Sequence, residues 1–291
     1  HMDMLRYLIT GQWGDEVTTT TQGSLVERTY NYTIPTDYLG VPCMVSNCEI
    51  VAFVTEGHQE IITGDVVPAI DGTNLFIGDI TATGNYMKLG QPTVTTDFDL
   101  TANSNITGSE PFKIKLISGA PADWAATFEI NGQSYADSAV VSLEKGTAKP
   151  LTVHVIPGFT PSFESFTLQL TSVNKPNAPA KYFKVYVISN VHTLLVNAGG
   201  DEQATNHQDV YINGLTAAGC DHLAVMKSDI FVQAKDQGIL TPILNIFYNC
   251  AWTFPAFTEA EATAVESFIN NGGKFFVAGQ DIGWDIMSGA S

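Results

Sequence analysis

Pro242-Ile243-Leu244-Asn245-Ile246-Phe247-Tyr248, then Thr258-Glu259-Ala260-Glu261, then Asn271-Gly272-Gly273-Lys274-Phe275-Phe276-Val277-Ala278 decide the fold class of the last third of this 291-residue chain. The first and last are continuous apolar runs of strand length. The middle one is a capping box, in which a threonine hydroxyl and a glutamate three residues later satisfy each other's backbone N–H groups. It opens a helix predicted to run to Asn270, and Asn271-Gly272-Gly273 closes that helix. Upstream, Thr193–Asn197 is another continuous apolar run, ending in Gly199-Gly200. A helix is predicted from Thr205 to Ala218 and a strand over His222–Met226. Strands alternating with helices imply a parallel sheet, and continuously apolar strands imply a sheet covered on both faces. Residues 193–291 therefore predict a flavodoxin-like α/β domain, expected to be incomplete.

Moving outward, residues 95–192 change period. Lys113–Ser118, Ala125–Ile130, Ala139–Leu143, Lys149–Ile156, Ser165–Thr171 and Tyr182–Ile188 recur at the spacing of a sandwich. Phe112-Lys113-Ile114-Lys115-Leu116 and Phe166-Thr167-Leu168-Gln169-Leu170 alternate, so each strand buries one face. Asn131-Gly132 joins two of these runs, Ala125–Ile130 and Ala139–Leu143, and signals a hairpin. An Ig-like β-sandwich is the simplest reading, without the inter-sheet cysteine pair of antibody domains. Residues 1–94 also read as a β-sandwich, from Leu5–Thr10, Leu25–Ile34, Glu49–Thr55 and Glu60–Val67, with turn signals at Asp71-Gly72 and Thr83-Gly84-Asn85. The fold class is thus multidomain: two β-sandwich domains, then a parallel α/β domain.

Charge follows the same division. Residues 1–94 carry three cations against eleven acids, residues 95–192 seven against eight, and residues 193–291 three against eleven. The formal charge of −17 excludes a nucleic-acid binder, whose surface must be basic, and disfavours docking on anionic lipid. Arg6 and Arg28 are the only arginines, which nearly excludes bidentate phosphate clamps. Hydrophobic residues make up 44% and charged residues 15%, enough for packed cores. No apolar run is long enough to span a bilayer. His1-Met2 reads as a vector remnant, and the chain ends soon after a strand-to-helix turn. A piece of a larger protein is the expectation.

Two segments carry resemblances. Leu8-Ile9-Thr10-Gly11-Gln12-Trp13-Gly14-Asp15, Thr29–Pro35 and Ile50-Val51-Ala52-Phe53-Val54 resemble the β-sandwich portion of a family of bacterial outer-membrane lipoproteins. Members usually carry a thioredoxin-like part with Cys-x-x-Cys upstream. Here Cys43 and Cys48 are separated by four residues. Phe275–Trp284, following Asn271-Gly272-Gly273, resembles the class I glutamine amidotransferase-like fold of secreted surface proteins. Active members place a cysteine at the turn where Asp281 stands, with a histidine further on. The resemblance implies the fold and argues against the activity.

Candidate residues follow, each with its structural alternative. Asp281 on a strand-to-helix turn is either a covalent nucleophile or a turn-capping carboxylate. Cys250 is either a reactive thiol or an inert buried one, since Ala251, Trp252 and Phe254 offer no cation to lower its pKa. His207, on the first predicted helix, is expected one to two turns from the carboxyl edge. Trp252, Phe254, Phe257 and Trp284 suit a sugar-stacking or partner-binding platform, or equally core packing. Asp97 and Asp99, near Asn103 and Asn105, are calcium candidates or a solvated acidic edge. The scattered histidines give no zinc pattern. Asn197-Ala198-Gly199-Gly200 reads as a tight βα turn, not a phosphate loop. Asn31-Tyr32-Thr33 and Asn105-Ile106-Thr107 match the glycosylation sequon. No cofactor is implied.

Cys43 and Cys48 are expected to form a local disulfide in an oxidising compartment, whereas Cys220 and Cys250 should lie at opposite sheet edges. The reading favours a non-catalytic structural or ligand-binding fragment of a secreted or cell-surface bacterial protein. Its expected location is extracellular or on the outer-membrane surface, with carbohydrate or another surface protein as partner. Alternatives are a hydrolase using Asp281 or Cys250, and an accessory region of a thiol-redox protein.

Overall fold

The computed structural model of the chain describes residues 5–18, 21, 26, 28–30, 32–35, 37–38, 40–45, 48–57, 60–69, 77–176, 178–198, 204, 207–280 and 282–288. Two compact units divide between Phe76 and Ile77.

In the first unit, β1 (Asp37–Tyr38) and β2 (Val41–Pro42) form a two-residue ladder. Antiparallel β3 (Glu49–Glu56) and β4 (Glu60–Pro68) form a hairpin. The expected strands at Leu5–Thr10 and Leu25–Ile34 are not strands among their described residues. A turn closed by Gly11 N–H donating to the Leu8 carbonyl, with Gly11 at φ +71°, interrupts the first. Tyr7 stacks on Tyr32 at 4.3 Å, and the Tyr32 and Tyr38 hydroxyls are 2.7 Å apart.

The second unit begins with a sandwich of two five-stranded sheets. Its strands are β5 (Gly78–Ala82), β6 (Met87–Gly90), β7 (Thr96–Ser104), β8 (Ser109–Ser118), β9 (Ala125–Ile130), β10 (Gln133–Tyr135), β11 (Ser138–Glu144), β12 (Lys149–Ile156), β13 (Ser162–Ser172) and β14 (Lys181–Ser189). One sheet runs β10-β9-β12-β7-β5 and the other β11-β8-β13-β14-β6. Period-two patterning makes the core. Phe98, Leu100 and Ala102, with Phe128 and Val153 of the same sheet, face Phe112, Ile114, Leu168 and Val187 of the other in one buried cluster. Each large side chain so buried contributes about 1.5–3 kcal/mol. Asn131 and Gly132, both at positive φ, turn β9 into β10, not into the Ala139–Leu143 strand, which belongs to the other sheet.

This moves the first boundary from residue 94/95 to 76/77. Composition marked the wrong place because β5 and β6, short and each containing glycine, do not alternate clearly. Packing explains both glycines. A Cβ on Gly78 would lie 2.7 Å from the Phe112 ring, and one on Gly90 would lie 2.6 Å from Val187 Cγ1. Segment 77–90 therefore supplies an edge strand to each sheet.

A parallel sheet follows: β15 (Thr193–Asn197), β16 (Leu223–Lys227), β17 (Asn245–Ala251) and β18 (Lys274–Gly279), in the order β16-β15-β17-β18. The helices are α1 (Gln208–Ala217), α2 (Ser228–Asp236), α3 (Glu259–Asn270) and α4 (Ile282–Ser288). This is the order of the first four strands of a flavodoxin-like sheet. The fold class of β-sandwich followed by parallel α/β sheet is therefore what the structure shows. The capping box at Thr258 and Glu261 is formed in both directions. Two readings shift. Helix α2 was not expected, and β17 begins at Asn245 because its ladder with β15 starts at Thr193↔Asn245.

The two parts of this unit share a core. Met87, Ile188 and Val191 pack in the same cluster as Leu194, Met226, Phe231 and Ile246. Gln237, at the end of α2, accepts through Oε1 from the backbone N–H groups of Tyr86 and Met87, each at 3.0 Å. The Tyr86 hydroxyl donates to Gln233 Oε1 at 3.1 Å.

Removing that acceptor leaves two N–H groups stranded. Gln237→Ala is expected to destabilise the unit by about 1–3 kcal/mol. Thermal denaturation checks this; a midpoint equal to the parent's would show that the bridge contributes nothing.

Candidate functional site

Ligands of open α/β sheets bind at the carboxyl edge where strand order reverses, here between β15 and β17. β15 ends in Asn197 and β17 carries Asn249 two residues before its end, and both side chains are buried. Asn249 Nδ2 donates to Asn197 Oδ1 at 3.3 Å and to the Ala204 carbonyl at 2.9 Å. Asn197 Nδ2 donates to Gln208 Oε1 at 3.1 Å. Asn249 Oδ1 accepts from Ala251 N at 3.2 Å, where the backbone turns at φ +48°. This network ties the loops after β15 and β17 together. The sequence carries its signal: a polar amide closing each of two apolar runs.

The positive φ at Ala251 turns the chain out of β17 and separates buried from exposed side chains. Cys250, before the turn, is fully buried, and its thiol donates to the Ala256 carbonyl at 3.5 Å. Trp252 and Phe254, after it, are 66% and 57% exposed. Trp284 on α4 is 62% exposed, and its ring lies 5.7 Å from that of Phe254. Phe257 turns inward instead, with its ring 4.9 Å from Tyr248 and 6.3 Å from Phe275. The aromatic quartet thus divides into an exposed Phe254–Trp284 pair, an exposed Trp252 and a core residue.

Asp281 lies outside the described residues, as do Gly199, Gly200, Asp71, Gly72 and Asn31. His207 stands at the N-cap of α1, so it is at the carboxyl edge itself and not one to two turns beyond. Cys220 precedes β16 and Cys250 lies near the carboxyl end of β17, placing them at opposite edges.

The carboxylates on β7 point outward from the sandwich into cross-strand contacts. Asp97 Oδ1 is 2.7 Å from His154 Nδ1, and Thr152 Oγ1 donates to Asp99 Oδ1 at 3.4 Å. His154 Nε2 is 3.8 Å from Glu129. No group of three potential ligands capable of holding a metal occurs among the described residues. The sandwich also has a shallow crevice floored by Trp124 and Phe166, with no titratable side chain in its lining.

Beneath the edge, Glu261 is half-buried. Burial raises its pKa, but hydrogen bonds from Ser228 and from the Thr258 backbone and side chain outweigh that and hold the carboxyl below its usual value. Burial pushes the Tyr248 hydroxyl well above its ordinary value, so it stays neutral. In the first unit, the Cys43 and Cys48 thiols have their sulfurs 3.7 Å apart. Burial and then the hydrogen bond with Cys43 push the Cys48 thiol up.

No family model matches the chain, and no curated protein does. Among solved structures, the N-terminal domain of PorA is 11% identical, with 38% of this chain and 96% of that one covered at a TM-score of 0.32. The ASH/PapD-like domain of human CEP192 is 13% identical, with coverage of 44% and 93% and a TM-score of 0.30. Domains 4 and 5 of the S-layer protein SbsC are 13% identical, with coverage of 51% and 67% and a TM-score of 0.24. Similarities of this size carry no functional argument, and the fold rests on the chain's own strand pairing.

Two outcomes are expected. Glu261's folded pKa is depressed, so its stabilisation is present above the unfolded value and lost as pH falls through the folded one. Glu261→Gln should therefore flatten the acid limb of stability against pH, read from denaturant unfolding at stepped pH; a limb parallel to the parent's contradicts the assignment. Mild oxidation should join Cys43 to Cys48, because bond formation needs only a small approach of the sulfurs. Mass analysis should then show two alkylatable thiols in the denatured chain, where four persistent thiols would oppose it.

Proposed function

We propose that this chain is a non-catalytic structural and ligand-binding part of a secreted or cell-surface bacterial protein, and that the exposed Phe254–Trp284 face at the carboxyl edge contacts the ligand. The carrying observation is the contrast across Ala251: the thiol is sealed in the core while the aromatic rings face water at the fold's binding edge. Flat apolar faces stack on sugar rings. Few cations, an acidic surface and low charge content suit an extracellular setting and a neutral ligand better than an anionic one. Carbohydrate is the ligand class that matches both the rings and the scarcity of charged partners.

The hydrolase alternative needs Cys250 at the surface or a base beside Asp281. Burial of Cys250 weighs against the first. A carboxylate at the turn is a weak nucleophile toward an amide and opposes a developing oxyanion.

Tryptophan fluorescence titrated with a panel of soluble oligosaccharides tests the reading. Saturable quenching is expected for at least one neutral glycan, weakened about tenfold by Trp284→Ala or Phe254→Ala, the size of a lost ring contact. Titrations that stay flat across the panel would remove the ligand class. In parallel, ammonia release from glutamine and simple amides is expected to be absent. Release abolished by Asp281→Asn would promote the hydrolase.

A further inference from the structure

The hairpin of the first unit has a surface that the carboxyl-edge reading does not use. Every residue of β3 and β4 is exposed. Ile50, Val51, Phe53, Val54, Ile61, Ile62, Val66 and Val67 are 43–65% exposed. Pairing Val51↔Val66 and Phe53↔Gly64 puts Val51, Phe53 and Val66 on one face, and Ile50↔Val67 puts those two on the other. A two-stranded ribbon with apolar residues on both faces is marginal in water and gains most from a further strand.

The two outer edges differ. On β4, the register shift leaves Ile62 as an extra residue, and Gly64, Asp65 and Pro68 follow. A bulge, a charge and a proline are the features that blunt an edge against pairing. On β3, Ile50-Val51-Ala52-Phe53-Val54-Thr55 contains no charge, proline or glycine. Its row of outward N–H and C=O groups has no ladder partner among the described residues. This is the open template of the pair.

Charge states what fits it. Glu49 and Glu56 stand at the two ends of β3, Glu60 and Asp65 lie on β4, and no lysine or arginine occurs from Glu49 to Pro68. A second copy paired antiparallel across a two-fold axis would set Glu49 beside Glu56 at both ends, which like-charge repulsion opposes. We propose that the outer edge of β3 docks an extended segment of another protein, apolar at alternate positions and flanked by lysine or arginine, as a third strand. Main-chain hydrogen bonds supply affinity, the apolar faces set register, and the acidic ends select the basic flanks.

The probe is a fluorescent peptide of about eight residues, alternating valine and threonine with a lysine at each end, titrated by anisotropy against the whole chain. Two companions replace the lysines with glutamates or N-methylate alternate residues along one edge. Saturable binding of the lysine peptide is expected, about tenfold weaker binding of the glutamate peptide, and loss of binding on N-methylation. Equal binding of lysine and glutamate peptides, survival of binding after N-methylation, or absence of binding overturns the proposal. Sedimentation velocity completes the test. A monomer is expected, and a dimer that the lysine peptide does not dissociate would assign the edge to a second copy and overturn it. Because all arms use the unaltered chain, failure of a variant to fold cannot confuse the outcome.

Discussion

Three residues, Asn190, Val191 and His192, join the sandwich's last strand to the parallel sheet's first, and the arrangement of the second unit depends on how they are held. Asn190 sits in the left-handed region at φ +58°, and its side chain donates to the Phe159 carbonyl at 2.8 Å. Its own carbonyl lies 2.6 Å from His222 Nδ1. The His192 and Thr193 N–H groups donate to the His222 carbonyl, and the His192 carbonyl accepts from Leu244 and Asn245. Val191 is buried between these contacts. A linker this short, bonded from both neighbouring strands of the parallel sheet, leaves no freedom for a hinge. The shared core and the Gln237 bridge then add packing and hydrogen bonds to a geometry the backbone already enforces.

That rigidity sets β15, which is buried over its whole length, and through it the switch point. The carboxyl edge inherits its order from the buried amides of Asn197 and Asn249. Buried polar groups are costly unless every bond is made. Here the bonds run from strand end to loop, so the loops bearing Trp252 and Phe254 leave a stiff base. Rigid presentation suits binding, since rings held in place lose little freedom when a ligand arrives.

Legibility followed period and burial. The sandwich strands from Lys113 onward could be read because one face of each is buried and the side chains alternate. Thr193–Asn197 could be read because both its faces are covered. The capping box was visible because it is local chemistry. β5 and β6 were hidden because Gly78 and Gly90 replace the apolar side chains that would have marked them, for reasons of close packing that lie far away in sequence. Asp97 and Asp99 read as an acidic edge, yet their strand is interior to its sheet. The alternation of buried Phe98, Leu100 and Ala102 along that strand was the stronger signal. The aromatic quartet was legible as a cluster but not as a division, because only the backbone turn at Ala251 decides which rings face water.

The two units also handle strand edges differently. The sandwich ends its sheets with short strands, β5 and β10 on one and β6 on the other, and its longer edge strand β11 finishes at Glu144. Short or charged edges offer few consecutive unpaired groups, which keeps a sandwich from pairing with its neighbours. The hairpin keeps one such edge on β4 and leaves six uncharged residues on β3. Selection for solubility alone would blunt both strands, since either edge can nucleate aggregation. Acidic residues at the ends of an otherwise bare strand repel copies of the same chain without closing the edge to a basic one. That combination separates a guarded recognition edge from an unguarded liability, and it places the partner's specificity in charge and its affinity in the backbone.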